Sequence, residues 1–135
     1  MITPTCPAEA VTEPSPGLHV PKPWGFELIW AHTAYYAAKI LWIKPGCRLS
    51  LQLHQQKVET ITLLSGAMEV DLEAEDGTTG RWHMSPGDVL HIPAGRRHRF
   101  CALIPCTVLE VSTPELDDIV RFEDDYERAC SGEAG

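Results

Sequence analysis

One short segment of the chain carries polar side chains of metal-binding type at the spacing of a β-strand. Gln52 and His54 lie two residues apart with a leucine between them. Because alternate residues of a strand point to the same face, these two side chains share one wall. Glu59 opens the next apolar run after a short loop, so a hairpin can bring its carboxylate to that wall. The spacing predicts an amide oxygen, an imidazole and a carboxylate close together.

A further imidazole comes from a separate part of the chain. Residues 86–95 end one strand in a tight turn that contains Pro93 and Gly95, and His98 opens the next strand. Imidazole, carboxylate and amide oxygen together suit zinc, manganese, iron, nickel or cobalt, whereas a closed structural zinc site uses cysteine thiolates. Such a donor set indicates a site for one divalent transition metal, with coordination positions left for water or substrate.

Lys57 shares a strand face with Glu59 and is our candidate for a catalytic base. A cation beside a metal can have its pKa lowered toward the range useful for proton abstraction. The alternative is a lysine that faces solvent in an exposed hairpin loop.

Two arginines are candidates for binding a substrate phosphate at the rim of the site, namely Arg97 and Arg121. Arginine binds phosphate through paired N–H donors, so these cations offset the acidic composition locally. An ion pair of Arg121 with a neighbouring acid is the alternative. Arg99 directly follows a candidate ligand and is expected to face the opposite side of its strand.

The elements that must position these residues are short β-strands. Runs rich in Val, Ile, Leu and aromatic residues are separated by Pro-Gly, Ser-Gly, Asp-Gly and Ala-Gly turn signals, and no long 3.6-residue stripe occurs. Residues 69–73 alternate acids with aliphatics, as a strand with one buried face does. The pattern predicts an all-β sandwich, jelly roll or small closed barrel. We expect an extended, proline-rich arm over residues 1–23, one domain over 24–122 and a charged tail over 123–135.

Composition excludes several classes of partner. The 135 residues carry a net charge of −8, which disfavours binding to nucleic acid and to anionic membrane surfaces. No signal peptide or membrane-length apolar run is evident, so we expect a cytoplasmic protein. The five cysteines are widely spaced and form no C-x-x-C pair, which predicts reduced thiols.

Two motifs in this sequence resemble those of the cupin superfamily. Gly46, Gln52, His54, Glu59 and Gly66 are similar to the first cupin motif, with glutamine in place of the usual first histidine. The second motif is matched, in order, by Gly87, Pro93, Gly95 and His98. The resemblance implies a cupin-type jelly roll, which is a double-stranded β-helix barrel.

The glutamine variant narrows the resemblance to one family. Residues 22–25, 39–41, 45–46, 49–52 and 117–121 are similar to the C-terminal domain of bifunctional (type II) mannose-6-phosphate isomerase/mannose-1-phosphate guanylyltransferase. The resemblance spans about residues 22–128. It implies a metal held by Gln52, His54, Glu59 and His98, and aldose–ketose isomerisation of a sugar phosphate through a metal-stabilised enediolate. It also implies a homodimer.

Other functions stay open on the sequence alone. Lys57 replaces an arginine of that family, and no aromatic residue closely follows Glu59. The same scaffold supports a metal-dependent epimerase, lyase, cyclase or dioxygenase acting on a small polar metabolite. A non-catalytic sugar-binding module is the third possibility.

Overall fold

The computed structural model describes residues 12–126, which form eleven β-strands and no helix. The all-β prediction is therefore confirmed for this part of the chain. In chain order the strands are β1 (Leu18–Lys22), β2 (Gly25–His32), β3 (Ala37–Ile43), β4 (Leu51–Leu53), β5 (Glu59–Ser65), β6 (Met68–Glu73), β7 (Thr79–Met84), β8 (Val89–Ile92), β9 (His98–Ala102), β10 (Cys106–Ser112) and β11 (Val120–Glu123).

The strands form two antiparallel sheets. One has six strands in the order β1-β2-β3-β10-β5-β8, and the other has five in the order β11-β4-β9-β6-β7. Neighbours such as β3 and β10 are distant in sequence, so the chain crosses repeatedly between the sheets. This topology is the jelly roll that the motifs imply, and it brings β4, β5 and β9 together.

Alternation along the strands builds the core between the sheets. In β5 the side chains of Glu59, Ile61 and Leu63 are buried, while Thr60 and Thr62 lie on the outer face. The inward apolar residues form one continuous cluster that includes Trp24, Leu41, Ile43, Met68, Val70, Phe100 and Val108. Each large side chain buried in this way contributes roughly 1.5–3 kcal/mol. The same alternation that builds the core directs Glu59 inward.

The first strand lies in the predicted proline-rich arm. β1 pairs with β2 from Leu18 onward, so the sheet starts before the predicted boundary at Trp24. An edge strand tolerates Pro21 because one side of its backbone makes no ladder hydrogen bonds. Gly25 opens β2 at φ 152°, and a Cβ there would lie 1.9 Å from the backbone oxygen of Trp42. Residues 1–11 of the arm and 127–135 of the tail lie outside the described residues.

The outer face of the six-stranded sheet lacks charged side chains on β2, β3, β5, β8 and β10. Its exposed members include Trp30 (45%), Val89 (67%) and Val111 (47%). The remaining outward positions of these strands are Phe26, Leu28, Ala38, Ile40, Trp42, Thr60, Thr62, Leu64, His91, Thr107 and Leu109. This uncharged face contrasts with the net charge of −8 on the whole chain.

Three cysteines of the described residues are free thiols, as predicted: Cys47, Cys101 and Cys106. Cys6 and Cys130 lie outside residues 12–126. A search of the same residues for helices long and apolar enough to cross a membrane finds none.

Candidate metal centre

The middle of β4 places Gln52 in a cross-strand row with two other functional candidates. Gln52 pairs with His98 on β9 and with Arg121 on β11. Directly opposed residues of neighbouring strands project to the same face of the sheet. Gln52, His98 and Arg121 therefore lie side by side on the inner face.

Three predicted ligands form a compact cluster. One ligand atom from each of His54, Glu59 and His98 lies within 4.8 Å of the others. Glu59 stands between the histidines, with Oε2 3.8 Å from His54 Nε2 and Oε1 3.4 Å from His98 Nε2. All three side chains are buried. The predicted ligands thus converge on one site, but the expected hairpin is wrong: β4 lies in the five-stranded sheet and β5 in the six-stranded sheet, so Glu59 meets the histidines from the opposite sheet.

Backbone carbonyls fix the tautomer of both histidines. His54 Nδ1 lies 2.6 Å from the carbonyl oxygen of Asp118, and His98 Nδ1 lies 3.0 Å from that of Arg96. A carbonyl oxygen can only accept, so each Nδ1 is the donor, and in the neutral ring the lone pair lies on Nε2.

The two Nε2 atoms fit a metal ion. Both are buried and have no hydrogen-bond partner among the described residues. An unsatisfied buried polar atom is costly, and a cation would accept both lone pairs. Burial, only partly opposed by the charge of Glu59, lowers the pKa of His54 to about 4. The imidazole is therefore neutral at physiological pH, which is the form that binds metal.

Gln52 lies beside this cluster and lines the same cavity as His54 and Glu59. Its Oε1 accepts a hydrogen bond of 2.6 Å from Ser50 Oγ, and both side chains are buried. An amide oxygen has two lone pairs, so the second is free to face a cation. The role of Gln52 as the fourth ligand stays a prediction.

Asp118 clamps the loop that carries the ligands. Its carboxylate accepts the backbone N–H groups of Gln55, Gln56 and Lys57 at 2.9, 2.7 and 2.9 Å. Burial raises the pKa of Asp118, but the three hydrogen bonds together outweigh burial and lower the pKa below its ordinary value. On the other side, Gly95 N–H donates to the His54 carbonyl at 2.7 Å. The loop and His54 are therefore held from two directions.

We expect Asp118→Ala to lower metal affinity by about 10- to 100-fold, as loss of groups that orient metal ligands usually does. The matched control is Asp117→Ala, because Asp117 is its exposed neighbour. Competition with a chromophoric chelator measures both affinities. Equal affinities for the two variants would contradict a positioning role of Asp118.

Lys57 differs from both sequence-based interpretations. It is 4% exposed rather than solvent-facing, and its Nζ lies 3.1 Å from Glu59 Oε2 and 3.0 Å from Glu110 Oε2. Burial lowers the pKa of Lys57, but the two carboxylates outweigh burial and raise it above its ordinary value. The expected lowering of this pKa was therefore wrong, because the spacing did not reveal the carboxylate of Glu110.

Further charged side chains are buried inside the barrel next to Lys57. Glu110 pairs across strands with Lys39, whose Nζ lies 3.3 Å from Glu27. These residues line a cavity of about 20 Å³ together with Gln52, His54 and Glu59, which is room for one water-sized group. Spacing alone did not assign Glu27, Lys39 or Glu110 to the site. The sequence pattern did indicate one of these residues, because Lys39 lies two residues from Ala37 and from Leu41 and shares the inward face of β3 with them.

The candidate arginines occupy three different settings. Arg121 is 2% exposed on the inner face beside Gln52. Arg97 lies in the loop before β9, with its guanidinium 4.0 Å from the ring centre of Phe122. Arg99 donates from Nε to the Leu49 carbonyl at 2.8 Å. Substrate contacts by Arg97 and Arg121 stay predictions.

A jelly roll with a buried cluster of two histidines and a glutamate between its sheets defines a cupin-type domain with a candidate metal site. The chain belongs to the family described as mannose-6-phosphate isomerase C-terminal, whose model matches residues 13–124.

Curated relatives agree with this family. The mannose-1-phosphate guanylyltransferase ManC of Salmonella typhimurium is 34% identical over 115 residues, covering 79% of this chain and 22% of that protein. The alginate biosynthesis protein AlgA of Pseudomonas syringae pv. tomato is 31% identical over 129 residues, covering 92% of this chain and 26% of that protein. The chain thus spans about a quarter of the length of these relatives.

Solved structures share the fold. KdgF from Halomonas sp. superposes with a TM-score of 0.62 at 27% identity, covering 70% of this chain and 83% of that one. Oxalate decarboxylase from Bacillus subtilis has a TM-score of 0.71 at 18% identity, covering 78% of this chain and 30% of that one.

Proposed function

We propose that the chain is a metal-dependent enzyme of the mannose-6-phosphate isomerase-like type, which interconverts the aldose and ketose forms of a sugar phosphate. The observation that carries the proposal is the pair of buried histidine Nε2 atoms on either side of Glu59, which have no hydrogen-bond partner among the described residues. The family match supports the choice of reaction. We propose zinc, manganese, iron, nickel or cobalt as the metal, with Gln52 as the fourth ligand.

A divalent cation at this site would polarise the substrate carbonyl and stabilise the negative charge of an enediolate. Lys57 lines the cavity as an ammonium ion and would stabilise the same charge from the protein side. Burial, and then the charge of Glu59, raises the pKa of Glu110. A carboxylate with a raised pKa is the stronger base, so we assign proton abstraction to Glu110 and charge stabilisation to Lys57.

Substrate entry requires side chains to move, since a sugar phosphate is much larger than a cavity of about 20 Å³. Leu116 and Ile119, which precede β11, line the cavity together with His54 and Glu59. Arg121 follows on β11, so displacement of these apolar residues would bring a phosphate toward it. We therefore propose Arg121 and Arg97 as the phosphate contacts.

The test is turnover of mannose 6-phosphate by protein loaded with each candidate metal, in deuterated water. An enediolate route transfers solvent deuterium to the carbon next to the carbonyl, which proton NMR detects in fructose 6-phosphate. Glu110→Gln should lower the rate by about 100-fold or more, in the range of a lost general base. Absence of turnover with all five metals would reject the isomerase.

A second candidate is another metal-dependent enzyme, such as an epimerase, lyase, cyclase or dioxygenase, or a non-catalytic sugar-binding module. The observation that favours this group is Lys57, which two carboxylates hold as a cation with a raised pKa. That arrangement removes the base expected from the sequence. Oxygen uptake with iron would indicate a dioxygenase, and binding without turnover would indicate a binding module.

We also propose that a second copy of the chain covers the uncharged outer face of the six-stranded sheet. Exposed apolar patches larger than a few hundred Å² mark interaction sites. Two copies that each carry a net charge of −8 repel one another. Contact through an uncharged face avoids placing like charges against each other. A two-fold axis through this face would pack it against itself.

Trp30→Glu tests the dimer, because a two-fold axis places the new charge against its own copy. We expect the dissociation constant to rise roughly 100-fold or more. Trp82→Glu is the matched control, since Trp82 is 58% exposed on the other sheet. Sedimentation velocity at micromolar concentration gives the masses. A monomeric wild type would reject the proposal.

A further inference from the structure

The cavity wall on β2 and β3 carries a buried ion pair. Lys39 Nζ lies 3.3 Å from each carboxylate oxygen of Glu27, and both side chains are 5% exposed. The two residues line the same cavity as His54 and Glu59. The pair is therefore part of the surface that a ligand in this cavity would contact.

Protein stability does not explain this pair. Removing two charges from water costs as much as, or more than, their attraction returns, and apolar side chains of similar size are often equally good or better. Neighbouring inward positions on the same strands hold such residues, namely Ile29 on β2 and Leu41 on β3. A buried pair that contributes little to stability but faces a cavity suggests a role in binding.

The charge around the pair selects the chemistry of the ligand. Glu27 neutralises Lys39, and Glu110 is the cross-strand partner of Lys39. An anionic phosphate would gain little here. A hydroxyl group both donates and accepts, so it matches a carboxylate and an ammonium side by side. Two of the three N–H donors of Lys39 point to Glu27, and among the described residues the third has no other partner.

The position of the Glu27–Lys39 pair also favours a hydroxyl group as the ligand. β3 lies two strands from β5, which is about 10 Å. A short carbon chain with its carbonyl end near Glu59 would bring its distal hydroxyl groups toward Lys39. We infer that Glu27 and Lys39 form a subsite for the hydroxyl groups of a polyhydroxylated substrate. The inference rests on the proposed function, because it deepens the description of that site.

The test compares ligand binding to zinc-loaded wild type and to the double variant Glu27→Leu/Lys39→Met. Calorimetry with mannose 6-phosphate and its monodeoxy analogues gives the affinities. We expect zinc content to stay constant and the melting temperature to stay constant or rise. Affinity for mannose 6-phosphate should fall about 10- to 100-fold. The penalty that wild type shows for a missing distal hydroxyl should disappear in the variant.

Two further variants keep the result interpretable. Glu27→Gln/Lys39→Gln preserves size and polarity if the apolar pair fails to fold. Asp71→Leu/Arg81→Met removes a 2.7 Å ion pair on the outer face of the other sheet and should bind like wild type. A Glu27/Lys39 variant that folds and binds with wild-type affinity overturns the subsite. Wild-type binding without turnover rejects the isomerase but leaves the subsite, and absence of any sugar or sugar-phosphate binding rejects both.

Discussion

A His54→Ala/His98→Ala double variant is expected to contain no metal, whereas wild-type protein purified without chelator should contain about one equivalent of a transition metal. The reason is that the two Nε2 atoms are buried and that carbonyl acceptors on the Nδ1 atoms orient both rings. The variant leaves Glu59 as one carboxylate, which is too weak a site alone. Plasma mass spectrometry of tag-free protein measures the content.

The control for this prediction is His83→Ala/His91→Ala. Both of these histidines are exposed and neither belongs to the ligand cluster, so metal content should equal that of wild type. Wild-type protein that contains no metal and takes up none on reconstitution would contradict the metal centre. The identity of the bound metal also selects the first assay, which is isomerisation for zinc or manganese and oxygen uptake for iron.

The ligand cluster was predictable because it depends on local spacing. Two-residue alternation puts Gln52 and His54 on one face whatever the register, and the short loop after His54 carries the chain to Glu59, which lies on the opposite sheet rather than on a paired strand. His98 was harder, because its strand joins the site by pairing with β4, more than 40 residues earlier in the chain. The motif resemblance supplied that long-range pairing.

The charged interior could not be predicted with the same means. β10 has apolar residues on both faces, so its pattern does not say whether Glu110 points inward. The partner of Lys57 on that strand lies 53 residues away. Without that contact, a lysine beside a candidate metal was expected to have a lowered pKa. The direction of the shift depends on a long-range contact that spacing does not encode.

The start of the sheet was missed for another reason. Proline disfavours central strands, so the proline-rich stretch indicated an arm rather than a strand. β1 lies at a sheet edge and pairs on one side only, with β2. Composition is a weak guide to edge strands, because their unpaired side does not require N–H donors.

Lys57→Met is expected to lower the free energy of unfolding of the metal-free protein by about 3–5 kcal/mol, in the range found when one partner of a buried ion pair is removed. Lys57 is the cation between the buried carboxylates of Glu59 and Glu110, at 3.1 and 3.0 Å. The variant leaves two like charges facing each other. Denaturant unfolding in the presence of chelator measures the loss, and Lys44→Met, at an exposed lysine, is the control.

The pH dependence of this loss follows from proton linkage. A carboxyl group whose pKa is raised in the folded state binds more protons there than in the unfolded chain, so stability falls as the pH rises above its ordinary pKa. The pKa of Glu110 is already raised in the wild type, and Lys57 is the largest influence that opposes this. The deficit of Lys57→Met should therefore be largest near neutral pH and shrink as the pH falls toward the ordinary carboxyl pKa of 4.5.

A second-site change separates charge from packing as the cause. Glu110→Leu removes one of the two unpaired carboxylates, so Lys57→Met/Glu110→Leu should regain much of the stability that Lys57→Met loses. A divalent cation should also restore part of it, because the cation would neutralise Glu59, whereas it should add nothing to a packing defect. A Lys57→Met deficit that is independent of pH, of metal and of Glu110→Leu would show that Lys57 supports the fold by its bulk. In that case the charge-stabilising role proposed for Lys57 at the metal centre would lose its electrostatic basis.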